Sequence, residues 1–231
     1  MKPDPIDELA ALPPPAPPPL ARELEAELGA LRPVATRRPA RQLVMLVAVS
    51  LIYGAGVLAV VTTRRDAGEL PMGWMVGAAL GWLFGFVIPC HLAMVPQAGS
   101  MMPRWRLAAI AAVITAIVFV VLGALIHPSG PSSEHYGAEH FARGHTCLEI
   151  GLATALVPIV LGTIFLRGAL PVGSRWIAAA LGAGGGSLGG LVLHLHCHVT
   201  DVLHVSVVHG GVVIVAALLA AAVVPRAADV R

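Results

Sequence analysis

Charged residues are scarce in this sequence: Asp, Glu, Lys and Arg together make up 12% of its 231 residues. A soluble domain usually carries about a quarter charged residues, so the composition excludes an ordinary soluble globular protein. Aromatic residues are also few, at 5%, and basic residues do not alternate with them. That alternation is typical of nucleic-acid-binding surfaces, and the sequence therefore predicts no direct contact with nucleic acid.

Several short catalytic motifs are missing as well. The sequence contains no HExxH, no CxxC and no phosphate loop of the GxxxxGKS or GxxxxGKT type. Asp201 lies near His198 and His204, but no positioned serine or oxyanion device can be named beside them. The chain is therefore predicted not to be an enzyme.

Apolar residues occur instead in blocks of roughly 20, the length needed to cross a bilayer. These blocks lie near residues 43–63, 72–95, 107–126, 147–166, 176–196 and 204–224. They predict an all-α membrane protein, a six-transmembrane-helix bundle over residues 43–225. Residues 1–42 would form an N-terminal segment and residues 226–231 a tail. No block carries Asp, Lys or Arg near its centre, which disfavours an ion pump or a proton-coupled transporter.

Glycines recur at every fourth position in two of these blocks, at 73–85 and at 182–190. Such small-residue faces let helix backbones approach closely. We expect both faces to pack inside the bundle.

The distribution of Lys and Arg predicts the orientation in the membrane. Twelve of the 15 lie in the N-terminal segment, in the second and fourth loops and in the tail, so both termini are predicted to be cytoplasmic. The first, third and fifth loops would then face outward from a bacterial inner membrane. The pair Arg64 and Arg65 opposes this orientation and is partly offset by Asp66.

The N-terminal segment reads as two short helices separated by the proline-rich stretch 13–19. Four leucines share one face of the second helix: Leu20, Leu24, Leu28 and Leu31. An amphipathic helix of three to four turns is marginal alone in water. Its leucines would be buried either on the chain's own membrane domain or in a groove of a partner protein.

Residues 194–204 hold the densest group of metal-binding and redox-active side chains, and the predicted orientation places Cys147 on the same outer face. The candidate residues are Cys147, Cys197, His194, His196, His198, Asp201 and His204. In a helix, Cys197, Asp201 and His204 would share one face.

Three interpretations of these residues remain open. The two cysteines could form a disulfide, or the group could bind zinc, copper or another soft metal ion. Alternatively, the histidines could simply bond loop carbonyls at a helix end. His209 lies inside the sixth block with no obvious partner histidine at equal depth, so it is predicted to be a buried hydrogen-bonding residue.

Several of these residues resemble a known family. Four short pieces of the sequence are similar to the C-terminal half of the NrsF-type, six-span membrane anti-sigma factors. They are Cys147-Leu148-Glu149, Pro158, Leu166-Arg167, and Leu195-His196-Cys197 followed by Asp201. Leu31-Arg32-Pro33-Val34, ahead of the first span, also resembles that family. The CarR-like membrane anti-sigma factors are similar in size and span count. One departure is Gly168, where the family often has a second basic residue.

The resemblance implies a membrane-bound regulator that holds an extracytoplasmic-function sigma factor through its N-terminal segment. It also implies that Cys147 and Cys197 carry the sensing of a stress, such as a metal, an oxidant or light. The alternative from the residues alone is a metal-handling transporter or a membrane redox protein that uses the same outer cysteines and histidines.

Overall fold

A computed structural model describes residues 37–97, 99–125, 138–168, 174–199 and 201–228, together with the single positions 26 and 29; the side chains of 138–143 are not among those described. The chain divides into two compact units, Met1–Arg37 and Arg38–Arg231. The four leucines predicted to dock a partner, at positions 20, 24, 28 and 31, lie outside the described residues.

The second unit is built from six long helices. They are α1 (Pro39–Val61), α2 (Met72–Met94), α3 (Arg104–Leu125), α4 (Ala138–Leu166), α5 (Ser174–His196) and α6 (Gly210–Ala228). Each described stretch contains a segment that is long and apolar enough to cross a membrane, and no strand occurs among the described residues. The predicted all-α fold with six spanning helices is confirmed.

Helix α5 is the centre of the bundle. It contacts each of the other five long helices, and all of its residues from Ile177 to Gly190 are buried. Its glycines make this possible, because helix backbones can meet only where no Cβ stands between them. A Cβ atom on Gly182 would overlap the Ala216 carbonyl of α6, and one on Gly189 would overlap the Gly151 carbonyl of α4. Close packing of this glycine face is as expected.

The glycine face of α2, at residues 73–85, does not pack closely along its whole length as predicted. Only Gly85 packs tightly, against the ring of Phe119. At Gly73, Gly77 and Gly81 an added Cβ would meet nothing within 4 Å. These three glycines line a cavity between α2 and α3 instead of a helix–helix contact.

A π-helical segment, His204–His209, leads directly into α6. Its widened turn is closed by the Gly210 N–H, which donates to the Val205 carbonyl five residues earlier. Such π turns are rare in helices and occur frequently at functional sites. The segment lies at the same end of the bundle as Cys197, which directly follows α5.

Candidate functional site

Two cysteines and two histidines meet at this end of the bundle. Cys147 comes from the early part of α4, Cys197 follows α5, and His204 and His209 come from the π-helical segment. The Sγ atoms of the cysteines lie 3.8 Å apart, and the Cys197 Sγ lies 3.5 Å from the His204 Nε2. One potential ligand atom from each of the four residues lies within 4.8 Å of the others. We call this group the Cys/His cluster.

The Cys/His cluster is largely closed off from the surroundings. Cys197, His204 and His209 are buried, with 5%, 6% and 3% of their surfaces exposed, and Cys147 is partly buried. Among the described residues, neither the His204 Nδ1 nor the His209 Nε2 has a hydrogen-bond partner. Buried polar atoms in native proteins are almost always paired. Each of these nitrogens could take a further polar partner, whereas the His204 nitrogen that faces Cys197 is Nε2.

The donor set suits a soft or borderline metal ion. Two thiolates and two imidazoles form one of the usual tetrahedral zinc sets, with zinc–sulfur and zinc–nitrogen bonds of about 2.3 and 2.0–2.1 Å. Those bond lengths place the four donor atoms about 3.4–3.8 Å from one another. The donor atoms of the Cys/His cluster lie within 4.8 Å of one another, so they would have to move slightly closer together to bind the ion. Cys147, Cys197, His204 and His209 could hold such an ion.

The same sulfurs are equally placed for oxidation. Both cysteines are free thiols, and their sulfurs lie near van der Waals contact. This proximity suits oxidation to a disulfide, whose S–S bond is roughly 2.05 Å. The hydrogen bond with Cys147 and burial both raise the pKa of the Cys197 thiol.

Four of the residues predicted for this site lie outside the Cys/His cluster. His194 donates from its Nε2 to the Met75 carbonyl at 3.0 Å, and His196 bonds through its Nδ1 to the Thr62 carbonyl at 2.8 Å. His198 is exposed. Asp201 accepts the His204 backbone N–H on its Oδ2 at 3.1 Å, which is the bond of a helix N-cap.

The helical arrangement considered for residues 194–204 does not occur, because α5 ends at His196 and residues 197–199 are not helical. Asp201 therefore does not join Cys197 and His204 on a helix face. His194 and His196 instead bond main-chain carbonyls, that of Met75 within α2 and that of Thr62 just after α1, whereas His204 belongs to the cluster.

His209 is the site residue that the sequence did not identify. His209 is buried, as the sequence predicts, but it has a partner histidine, because its ring centroid lies 5.2 Å from that of His204, edge to face. In an α-helix, residues five apart point about 140° away from each other. The wider π turn brings the two side chains closer to one face of the helix. No local sequence pattern indicates that turn.

The loop after α1 is fastened to the same end of the bundle. The Arg64 backbone N–H donates to the Leu195 carbonyl at 2.9 Å, and its buried guanidinium pairs with Asp66 through two bonds of 2.8 and 2.7 Å. These bonds hold the pKa of the Asp66 carboxyl below its ordinary value. Arg64, which opposed the predicted orientation, is thus matched by a carboxylate.

A serine in α5 carries a motif that is typical of hydrolases but does not have their geometry. Gly185-Gly186-Ser187-Leu188-Gly189 has the GxSxG spacing, which marks a nucleophile only on a sharp strand-to-helix turn. Here Ser187 lies in the middle of a helix, and its buried hydroxyl donates to the Ala183 carbonyl at 2.9 Å. Ser187 is a packed helix residue.

The family model of NrsF, described as negative regulator of sigma F, matches residues 29–228. The chain belongs to the NrsF family. The match spans all six long helices and both cysteines of the Cys/His cluster, and the family's description implies negative regulation of a sigma factor. Comparison with curated proteins and with solved structures gave no match.

Proposed function

We propose that this protein is a membrane-bound anti-sigma factor that holds an extracytoplasmic-function sigma factor at the bacterial inner membrane. The sigma factor is released when the Cys/His cluster binds a soft metal ion or is oxidised. The observation that carries this proposal is the meeting of Cys147 and Cys197, 3.8 Å apart, with two buried histidines, in a chain of a family of sigma-factor regulators. No catalytic role is proposed.

The arrangement of α1 supports a division between sensing and docking. The carbonyl of Thr62, just past the end of α1, bonds His196, so α1 ends near the Cys/His cluster. The 23 residues of α1 extend about 35 Å at 1.5 Å per residue. The first residue of α1 therefore lies at the opposite end of the bundle. We assign the cluster to the periplasmic face and both termini to the cytoplasm.

Docking is assigned to residues 1–42, with the leucines at positions 20, 24, 28 and 31 as anchors. Helix α1 begins at Pro39, inside the segment that the sequence assigned to docking, so the last residues of that segment belong to the bundle. Leucines spaced three or four apart are the usual anchors of a helix that binds in an apolar groove.

An affinity capture from membranes of the native host tests the docking assignment. Full-length protein should retain the sigma factor, and both the chain lacking residues 1–38 and the variant Leu24→Asp/Leu28→Asp should lose it. Equal capture by the truncated chain would refute the assignment. Because the truncation ends before Pro39, all residues of α1 and of the other helices are kept, and the helical content of each variant serves as the control.

The alternative, a metal-handling transporter or membrane redox protein, makes a different prediction. It requires turnover or metal flux in proteoliposomes, whereas a regulator requires only binding and a change in sigma-factor retention. Its main support is the Cys/His cluster, which both functions use. Family membership favours the regulator.

A further inference from the structure

A second feature of the same end of the bundle is the cavity between α2 and α3. It encloses about 270 Å³. Its walls are mostly apolar and include Gly77, Trp82 and Phe119, the last two stacked with ring centroids 3.6 Å apart and planes 4° from parallel. A cavity of about 150 Å³ already takes a benzene ring, so this one has room for a substituted six-membered ring.

The α2 side of the cavity is open to the protein surface. Gly73, Gly77 and Gly81 form a strip without Cβ atoms, and all three are exposed. Since α2 and α3 are long and apolar enough to span a membrane, we expect this surface to face lipid. A flat molecule dissolved in the bilayer can enter here between the helices, along the glycine strip.

Polar groups lie at one end of the cavity. Arg64, His194 and His209 contribute to its lining. Arg64 is matched by Asp66, so this end carries no uncompensated positive charge and does not select a fatty acid or a phosphate headgroup. The His209 Nε2, which has no partner among the described residues, belongs to a ring that can bond a carbonyl or hydroxyl oxygen. The wall therefore fits a neutral ring that carries oxygen.

His209 also belongs to the Cys/His cluster. The histidine that lines the cavity is therefore within a few ångströms of two free thiols, and a ligand oxygen beside it would lie next to a redox-active pair. Among neutral, planar, oxygen-bearing molecules dissolved in a membrane, quinones are the ones that oxidise dithiols. A quinone also maintains the oxidising state of the bacterial periplasm.

We infer that the cavity binds a membrane quinone and that this quinone oxidises the Cys147–Cys197 pair. Cys147 and Cys197 together lose two electrons and two protons and form one S–S bond. The quinone gains the two electrons and two protons and leaves as the hydroquinone. His204, 3.5 Å from the Cys197 sulfur, and His209 are placed to pass protons from the thiols toward the quinone oxygens. The inference rests on the proposed function, since it names the oxidant that would operate the switch.

The test uses full-length protein in lipid nanodiscs, reduced and kept free of oxygen. Decylubiquinone is added, quinone absorbance is followed, and the disulfide is measured by mass spectrometry. We expect one disulfide per quinone consumed. Gly77→Leu should slow this reaction at least tenfold, because its side chain extends into the open space of the cavity. Gly56→Leu on α1, where an added Cβ also meets nothing within 4 Å, is the matched control and should react like the wild type.

Diamide, a small oxidant that needs no ring-shaped cavity, separates the possible failures. It should oxidise the wild type and Gly77→Leu equally, which shows that the variant is folded with its thiols in place. If diamide forms the disulfide but decylubiquinone does not, or if Gly77→Leu reacts with decylubiquinone as fast as the wild type, the quinone site is refuted and the proposed function stands. If the diamide-formed disulfide leaves the sigma factor bound, the oxidation arm of the proposed function fails instead.

Discussion

The rings of His204 and His209 stand edge to face with their centroids 5.2 Å apart, although the two residues are five positions apart in the chain. The π turn between them is what makes them neighbours. In a regular α-helix only one of the two histidines would face the cluster. With the π turn, both face it. The geometry of the Cys/His cluster therefore depends on one additional residue in a helix.

The two histidines are predicted to contribute to metal affinity. His204→Ala and His209→Ala should each lower the affinity for zinc or cadmium by about tenfold or more, since loss of even an outer-shell partner typically costs 10–100-fold. Isothermal titration of the protein in detergent measures this. His198→Ala is the matched control: His198 was a candidate from the sequence but is exposed, and its replacement should leave affinity unchanged. A loss at His198 equal to that at His209 would contradict the cluster.

The π turn itself can be tested by shortening it. Deletion of Val207, an exposed residue of the segment, should restore α-helical geometry and leave His204 and His209 four positions apart, on one face of the helix. We therefore expect zinc affinity close to that of the wild type, with the helical content retained. Circular dichroism checks the fold, and a fall in zinc affinity as large as in His209→Ala would show that the cluster needs the π turn itself.

The Arg64–Asp66 pair is predicted to stabilise the first loop. Asp66→Asn leaves the Arg64 guanidinium buried without its counter-charge, which should cost about 1–3 kcal/mol. Unfolding in sodium dodecyl sulfate measures the loss. Arg65→Gln, at an exposed neighbouring position, should change the free energy of unfolding little.

The same pair has a defined pH dependence. The pKa of Asp66 is lowered in the folded protein, so its contribution is fully present above the unfolded value of about 3.9 and is lost as pH falls through the lower, folded pKa. The stability difference between wild type and Asp66→Asn should hold steady from pH 7 to 5 and shrink only below about pH 4. A difference that disappeared between pH 7 and 6 would contradict the pairing.

The glycine face of α5 is predicted to tolerate no side chain. Gly189→Ala would place a Cβ against the Gly151 carbonyl, and overpacking of this kind costs about 1–3 kcal/mol. Gly56→Ala, in open space on α1, should be neutral or gain up to about 1 kcal/mol from helix propensity. Comparison of the two in the same unfolding assay removes the general effect of replacing glycine by alanine.

Features that extend over a whole helix can be predicted from the sequence. The six spans follow from blocks of apolar residues, and the packing of Gly182, Gly186 and Gly190 follows from their spacing. The meeting of Cys147 and Cys197 was among the expected arrangements, because both lie at span ends on one predicted face. These predictions depend on composition over about 20 residues, which local irregularities do not alter.

What the sequence could not give depends on single turns. The place of His209 in the cluster depends on a π turn that has no residue signature. The separation of His194, His196 and Asp201 from the cluster depends on where α5 ends and which carbonyls then need donors. The openness of the strip from Gly73 to Gly81 depends on how α2 and α3 diverge, and the same glycine spacing on α5 produces tight packing. These outcomes are set by tertiary contacts.

We propose that a change at the Cys/His cluster releases a sigma factor held through the N-terminal segment. The most direct measurement is sigma-factor retention by the full-length protein in nanodiscs, before and after cadmium or diamide. We expect release from the wild type and from Cys90→Ala, whose buried cysteine lies outside the cluster. Cys147→Ser and Cys197→Ser should each stay fixed in one state. Normal release from both serine variants would show that the two cysteines do not operate the switch.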